Sequence, residues 1–184
     1  WTPDGMGFGE EQSRLIDKAV SSRKFKLKTW DSVGTRHVLV DAVDRHIERI
    51  MSGVGRAKLK VVVDCANGPA YNITPLVLQR MGCRVITLNS NPDGRFPGRP
   101  PEPVEETLKD LKNTVISAKA DLGIAHDGDA DRMVAVDDKG EFLGGDQLLA
   151  LFARRFAKRR LVVTVDASMA IDDTVDAKVT RVRV

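Results

Sequence analysis

Three observations predict an α/β fold with a mixed, mainly parallel sheet and flanking helices, joined to partial elements of neighbouring domains. The stretch "LKVVVDC" at 59–65 is a continuous β-branched run, too short for a helix and suited to a strand covered on both faces. Strand-like and helix-like stretches alternate after it, the pattern of βαβ units stacked into a parallel sheet. Near Leu161 the alternation starts over with "LVVTVDASMAIDDTVDAKVTRVRV", as a second, shorter α/β unit would.

Taken in order, "GEEQSRLIDKAVSSRK" places acids early and bases late, as a helix prefers. A polar connection over 29–35 leads to "HVLVDAVDRHIERIMSGVG". There Val40, Val43, Ile47 and Ile50 keep helical spacing, and Gly53 and Gly55 are stop signals. After the first strand, the turn "ANGPA" opens a helix in "NITPLVLQRMG", and "RVITLN" is the second strand. The Pro- and Gly-rich loop "SNPDGRFPGRPPEP" precedes a helix over 104–118 with Val104, Leu108, Leu111 and Val115 on one stripe. "ADLGIAH" is the third strand, "MVAVDDKGEFLG" reads as a hairpin turning at Lys139-Gly140, and a helix follows over 146–158.

The chain has 184 residues and a formal net charge of +3, enough apolar content for a core and little charge asymmetry. Its densest basic run, "RRFAKRR", closes the helix over 146–158, where cations suit the dipole. Aromatic residues are scarce and no basic stripe recurs, which argues against a nucleic-acid partner. No apolar stretch approaches the roughly 20 residues needed to cross a bilayer, so no membrane partner is expected. Cys65 and Cys83 lack CxxC spacing and read as buried free thiols of a reducing, cytoplasmic compartment. The opening at Trp1 without methionine and the close on a bare strand suggest a fragment.

The chemistry concentrates in "HDGDADR", which leaves the carboxyl end of the third strand, where open α/β sheets place ligands. In an extended loop Asp127, Asp129 and Asp131 would project to one side. Three neighbouring carboxylates disfavour shared ionisation, and a hard divalent cation such as Mg²⁺ resolves the conflict. Three acids, one Mg²⁺ and Arg132 roughly cancel in charge, leaving no bar to a phosphate. Arg132 offers that phosphate a planar fork. A bare DxDxD is more often a solvated turn, but here the run sits between apolar strands with small residues interleaved. An EF-hand is excluded by Arg132 at the glycine position, Asp138 at the glutamate position, and strands where helices should flank. A haloacid-dehalogenase-like phosphatase, with Asp127 as nucleophile and Asp129 as acid, is the alternative enzyme. A non-catalytic metal- or phosphate-binding module is the alternative without activity. His126 reads as a structural hydrogen-bonding group, His37 and His46 as surface or packing residues, and "CANGPAYN" as a plain tight turn.

"DGDADR", preceded by "ADLGIAH" and followed by "VDDKGEFLGGDQLLALFA", closely resembles the magnesium-binding loop and following helix of the α-D-phosphohexomutases, the phosphoglucomutases, phosphomannomutases and phosphoglucosamine mutases. "VVVDCANGPAYNITPLVLQRMGCRVITLN" and "PDGRFPGRPPEP" extend the likeness over residues 36–158. The resemblance implies a domain organisation of 1–35 as the tail of a first domain, 36–158 as the metal-binding second domain, and 159–184 as the start of a third. It implies a four-domain isomerase in which a phosphoserine hands its phosphoryl group to a hexose phosphate, forms a bisphosphate, and takes the other phosphate back. By resemblance Asp127, Asp129 and Asp131 hold Mg²⁺ and Arg132 contacts the phosphoserine phosphate. The partners implied are the hexose phosphate and domains one, three and four of the same chain. No TASHNP-like serine loop, third-domain sugar loop or fourth-domain phosphate loop occurs in these 184 residues. No catalytic nucleophile is therefore expected here, the segment is expected to be inactive alone, and glucose, mannose and glucosamine phosphates all stay open.

Overall fold

The structure is a computed structural model and describes residues 2–183. It divides into two compact units, 1–39 and 40–184.

In the first unit helix α1 (Glu10–Ser22) carries Glu10 and Glu11 in its first turn, and the Gly9 N–H is capped by Gln12 Oε1 at 3.0 Å. A 3₁₀ turn, Trp30–Ser32, follows. His37 lies beyond it, its Nε2 2.9 Å from Thr35 Oγ1.

The second unit starts with α2 (Ala42–Met51), five residues later than the stretch read as helical from His37. Val38 and Val40 are β-branched and favour extended backbone, and Val40 is exposed rather than part of the apolar stripe. Ile47, in contrast, is fully buried, and His46 sits on the exposed side of the helix.

The main sheet has the order β2-β1-β3-β4-β5. Its strands are β1 (Lys60–Asp64), β2 (Arg84–Leu88), β3 (Leu122–His126), β4 (Met133–Asp137) and β5 (Phe142–Leu143). β1 pairs in parallel with both β2 and β3, whereas β4 runs antiparallel to β3 and to β5. The sheet is therefore mixed, a parallel centre extended by a hairpin. Helix α3 (Thr74–Met81) joins β1 to β2 and ends at Gly82, whose φ of 103° is the left-handed stop that glycine takes without strain. Helix α4 (Lys109–Ala118) joins β2 to β3.

The two faces of β1 explain its unbroken apolar run. Val62 points into a core with Leu108, Leu111, Val115, Ala125, Val134 and Val136, on the α4 side. Val61, Val63 and Cys65 point the other way, with Ala70, Cys83 and Ile124, on the α3 side. On β3, Gly123 leaves room for α4: a Cβ there would lie 2.7 Å from Val115 and 3.1 Å from Leu111.

The helix read from Val104 is interrupted. A 3₁₀ turn, Glu105–Thr107, precedes α4, and Val104 is exposed. The Thr107 hydroxyl donates to the Val104 carbonyl at 2.8 Å, the kind of local side-chain bond that competes with helical pairing. The β4–β5 turn matches its sequence signal, with Gly140 at φ 84° and Asp137 Oδ1 accepting the N–H groups of Lys139 and Glu141. Helix α5 (Gly145–Phe156) ends with Arg154 and Arg155 in its last turn. After it, β6 (Arg160–Thr164), α6 (Ala170–Thr174) and β7 (Lys178–Val182) form a parallel βαβ pair around a small core of Ala153, Val163 and Ile171. The last residue of the strand-like run, Val184, lies outside the described residues.

Both thiols are free and buried. Burial, reinforced by the Asp64 charge and opposed by Arg99, pushes Cys65 from its ordinary 9.0 up to about 11. The folded state thus keeps the proton longer than the unfolded chain. The stability from this site is intact below pH 9.0 and is lost as pH rises toward about 11, a loss of roughly 2–3 kcal/mol. Urea titrations across that window should show this slope, and Cys65→Ala should flatten it by that amount.

Candidate metal centre

The acidic loop, residues 127–132, connects the antiparallel strands β3 and β4, directly after His126 and before Met133. It is a tight turn rather than the extended segment expected. Ala130 has φ 65°, and its N–H donates to the Asp127 carbonyl at 3.3 Å. The three acids still converge: carboxylate oxygens of Asp127, Asp129 and Asp131 lie within 4.8 Å of one another. Convergence comes from the turn's curvature, not from alternation along a strand.

The acids differ in environment. Asp127 is buried and closes the loop, its Oδ1 accepting the Arg132 backbone N–H at 3.0 Å and its Oδ2 the Arg132 Nε–H at 3.0 Å. Burial pushes the Asp127 carboxyl upward, but the Arg132 backbone and guanidinium outweigh it and hold the group below its ordinary value. Asp129 and Asp131 are exposed. The Asp129 charge, then partial desolvation, raises the Asp131 carboxyl above its ordinary value. That is the like-charge conflict anticipated from the sequence, and a donor set of three carboxylate oxygens suits a hard cation such as Mg²⁺.

Arg132 is engaged on two sides. Besides Asp127 it makes a fork-to-fork pair with Glu102, at 3.0 Å from Nη1 to Oε1 and 2.9 Å from Nη2 to Oε2. Glu102 foremost, then Asp127, keeps the guanidinium above its ordinary value. Glu102 thus occupies both outer nitrogens of the Arg132 fork.

Sequence reasoning missed the polar layer beneath the loop. Asp64, at the end of β1, and Arg99, from the Pro- and Gly-rich loop, form a buried ion pair at 2.8 Å with side chains 3% and 4% exposed. Asp64 Oδ1 also accepts from the Ala66 N–H at 2.9 Å and the Asn89 amide at 3.0 Å. The turn "CANGP" is more than a plain tight turn. Ala66 and Asn67 are both left-handed, and Asn67 ties the loop 89–98 through bonds to the Asn91 carbonyl and the Gly98 N–H. Gly68 presses on the acidic loop, since a Cβ there would fall 2.6 Å from the Gly128 carbonyl oxygen. One sequence signal pointed to this layer: a carboxylate inside a run buried on both faces needs a buried partner.

His126 behaves as a structural group. Its Nε2 lies 2.9 Å from Thr74 Oγ1, while Nδ1 finds no partner among the described residues. Burial holds its pKa below the ordinary histidine value. A cavity of about 290 Å³ opens beside it, lined by His46, Ile73, Thr74 and Asp129 among others.

Fold and site together define a class: α/β domains that carry a carboxylate cluster and an adjoining arginine on the loop leaving the carboxyl end of a central strand. Residues 39–140 match the phosphoglucomutase/phosphomannomutase alpha/beta/alpha domain II, and the chain belongs to that family. Among curated relatives it is 51% identical over 174 residues to the probable phosphoglucosamine mutase of Methanothermobacter thermautotrophicus, covering 94% of this chain and 38% of that protein. It is 47% identical over 188 residues to the probable phosphoglucosamine mutase of Methanosarcina acetivorans, covering all of this chain and 43% of the relative. The chain thus spans about two fifths of the length of these relatives. Among solved structures it resembles a phosphoglucomutase/phosphomannomutase family protein of Burkholderia thailandensis, with a TM-score of 0.75, 25% identity, and coverage of 97% of this chain and 40% of the other. A putative phosphomannomutase of Thermus thermophilus shares the fold at TM-score 0.77 and 21% identity, over 98% of this chain and 43% of the other.

Proposed function

We propose that this chain is the metal-binding second domain of a phosphohexomutase that interconverts hexose 1- and 6-phosphates through a phosphoserine and a bisphosphate. The observation that carries this reading is the convergence of Asp127, Asp129 and Asp131 within 4.8 Å on a loop of a family-matched domain. The three acids would hold Mg²⁺, which when bound polarises a phosphoryl group and offsets its charge. Asp127 fixes the loop from within, so Asp129 and Asp131 present their oxygens outward. Arg132 orients the phosphate of a serine donated by a first domain, exchanging Glu102 for phosphate oxygens. The sugar phosphate and the other three domains of the parent are its partners, and the segment alone does not turn over.

The relatives' names favour glucosamine phosphate among the sugars left open by the sequence. Two buried free thiols fit a reducing, cytoplasmic setting. No helix of the described residues is long and apolar enough to cross a membrane. The match of residues 39–140 to a phosphoglucomutase/phosphomannomutase domain weighs against the phosphatase alternative.

Titrating the chain with Mn²⁺ as a paramagnetic stand-in should broaden NMR signals around 127–132. Asp129→Asn/Asp131→Asn should lower that affinity by an order of magnitude or more. Absence of broadening in the unaltered chain would sink the reading.

A further inference from the structure

The loop "NPDGRFPGRPPEP" has no assigned role in binding or chemistry, yet it delivers the most thoroughly bonded side chain near the acidic turn. Arg99 is 7% exposed, and each of its guanidinium nitrogens has a partner on a different part of the chain. Nε donates to Asp64 Oδ2 at 2.8 Å, at the carboxyl end of β1. Nη1 donates to the Pro100 and Pro101 carbonyls at 2.9 and 3.3 Å, within its own loop. Nη2 donates to the His126 carbonyl at 2.5 Å, at the carboxyl end of β3. That carbonyl belongs to the peptide unit that leads into Asp127.

We propose that Arg99 is a positioning residue for the acidic loop, setting the place of Asp127 through the His126 carbonyl. The inference rests on the metal-binding reading above and adds a residue to it. A guanidinium is rigid and planar, so fixing Nε on β1 and Nη1 on the loop leaves Nη2 one direction, and β3's end is held there. A lysine at this position could keep the charge pair with Asp64 but not the three-way bridge. A second contact points the same way: a Cβ on Gly128 would lie 2.8 Å from Pro101 Cβ and 3.2 Å from Phe96. The loop that carries Arg99 is thus seated directly on the second residue of the acidic turn. Groups that orient metal ligands from behind commonly change affinity about 10–100-fold when altered.

The test uses this chain, Mn²⁺ as probe, and Arg99→Lys, at temperatures well below each protein's melting point. Arg99→Lys is expected to lower Mn²⁺ affinity about 10–100-fold and to shift the backbone amide resonances of 127–132 with or without metal. Asp64→Asn, which keeps the His126 contact, is expected to be less stable while retaining most of the affinity. If Arg99→Lys merely melts earlier, with unchanged affinity and unshifted resonances at 127–132, the proposal is overturned. Should Arg99→Lys fail to fold, Asp64→Asn/Arg99→Gln, which buries no charge, is compared with Asp64→Asn by the same two measurements. If the unaltered chain takes up no Mn²⁺, the metal reading falls, and the resonances of 127–132 still decide for or against Arg99.

Discussion

Replacing Asp64 with alanine is expected to lower the unfolding free energy by about 3–5 kcal/mol, among the largest losses a single side chain here can cause. The substitution strands the buried Arg99 cation without its counter-ion and removes the acceptor for the Ala66 N–H and the Asn89 amide. Desolvated charges are costly alone, so the loss exceeds what the pair adds when intact. A shift in urea midpoint at constant slope would record it. Asp93 supplies the contrast, because it also pairs with an arginine, at 2.7 Å, but Arg95 is 88% exposed. Solvent screening makes such pairs weak, and Asp93→Asn should leave the midpoint where it was. Equal effects from Asp64→Ala and Asp93→Asn would show that the buried pair matters no more to stability than the exposed one.

Gly68→Ala is expected to damage the site more than the fold. The added carbon would sit 2.6 Å from the Gly128 carbonyl oxygen, a backbone atom that cannot swing aside as a side chain would. Gly128 is itself hemmed in by Pro101 and Phe96, so the clash must move either the turn after β1 or the acidic loop. Overpacking of this kind costs about 1–3 kcal/mol. A displacement of the carboxylates by even part of an ångström should reduce Mn²⁺ affinity at least several-fold, read by water-proton relaxation. Retained affinity together with lost stability would mean that the strain is absorbed on the β1 side.

Much of the scaffold was legible because burial imposes period on sequence. The three valines of β1 revealed a strand covered on both sides, and Gly82 and Gly140 marked a helix end and a hairpin turn from their own conformational freedom. The converging acids were legible as well, because like charges at close spacing demand an explanation. Less legible were interruptions set by local hydrogen bonding, such as the Thr107 hydroxyl that delays α4. Contacts across long sequence separations were also hidden. Nothing in the spacing between Asp64 and Arg99, or between Glu102 and Arg132, announces that they meet. A loop rich in proline and glycine reads as a connector, and nothing in its composition marks Arg99 as buried.

The carboxylates sit on a connection between adjacent antiparallel strands, and that has a geometric corollary. With His126 and Met133 facing each other across the ladder, both ends of the six-residue connection are pinned by hydrogen-bonded neighbours. Its length is therefore a fixed quantity, unlike that of a loop running into a helix. Adding or deleting one residue would rotate Asp129 and Asp131 out of phase with Asp127, so this segment should vary in chemistry before it varies in size.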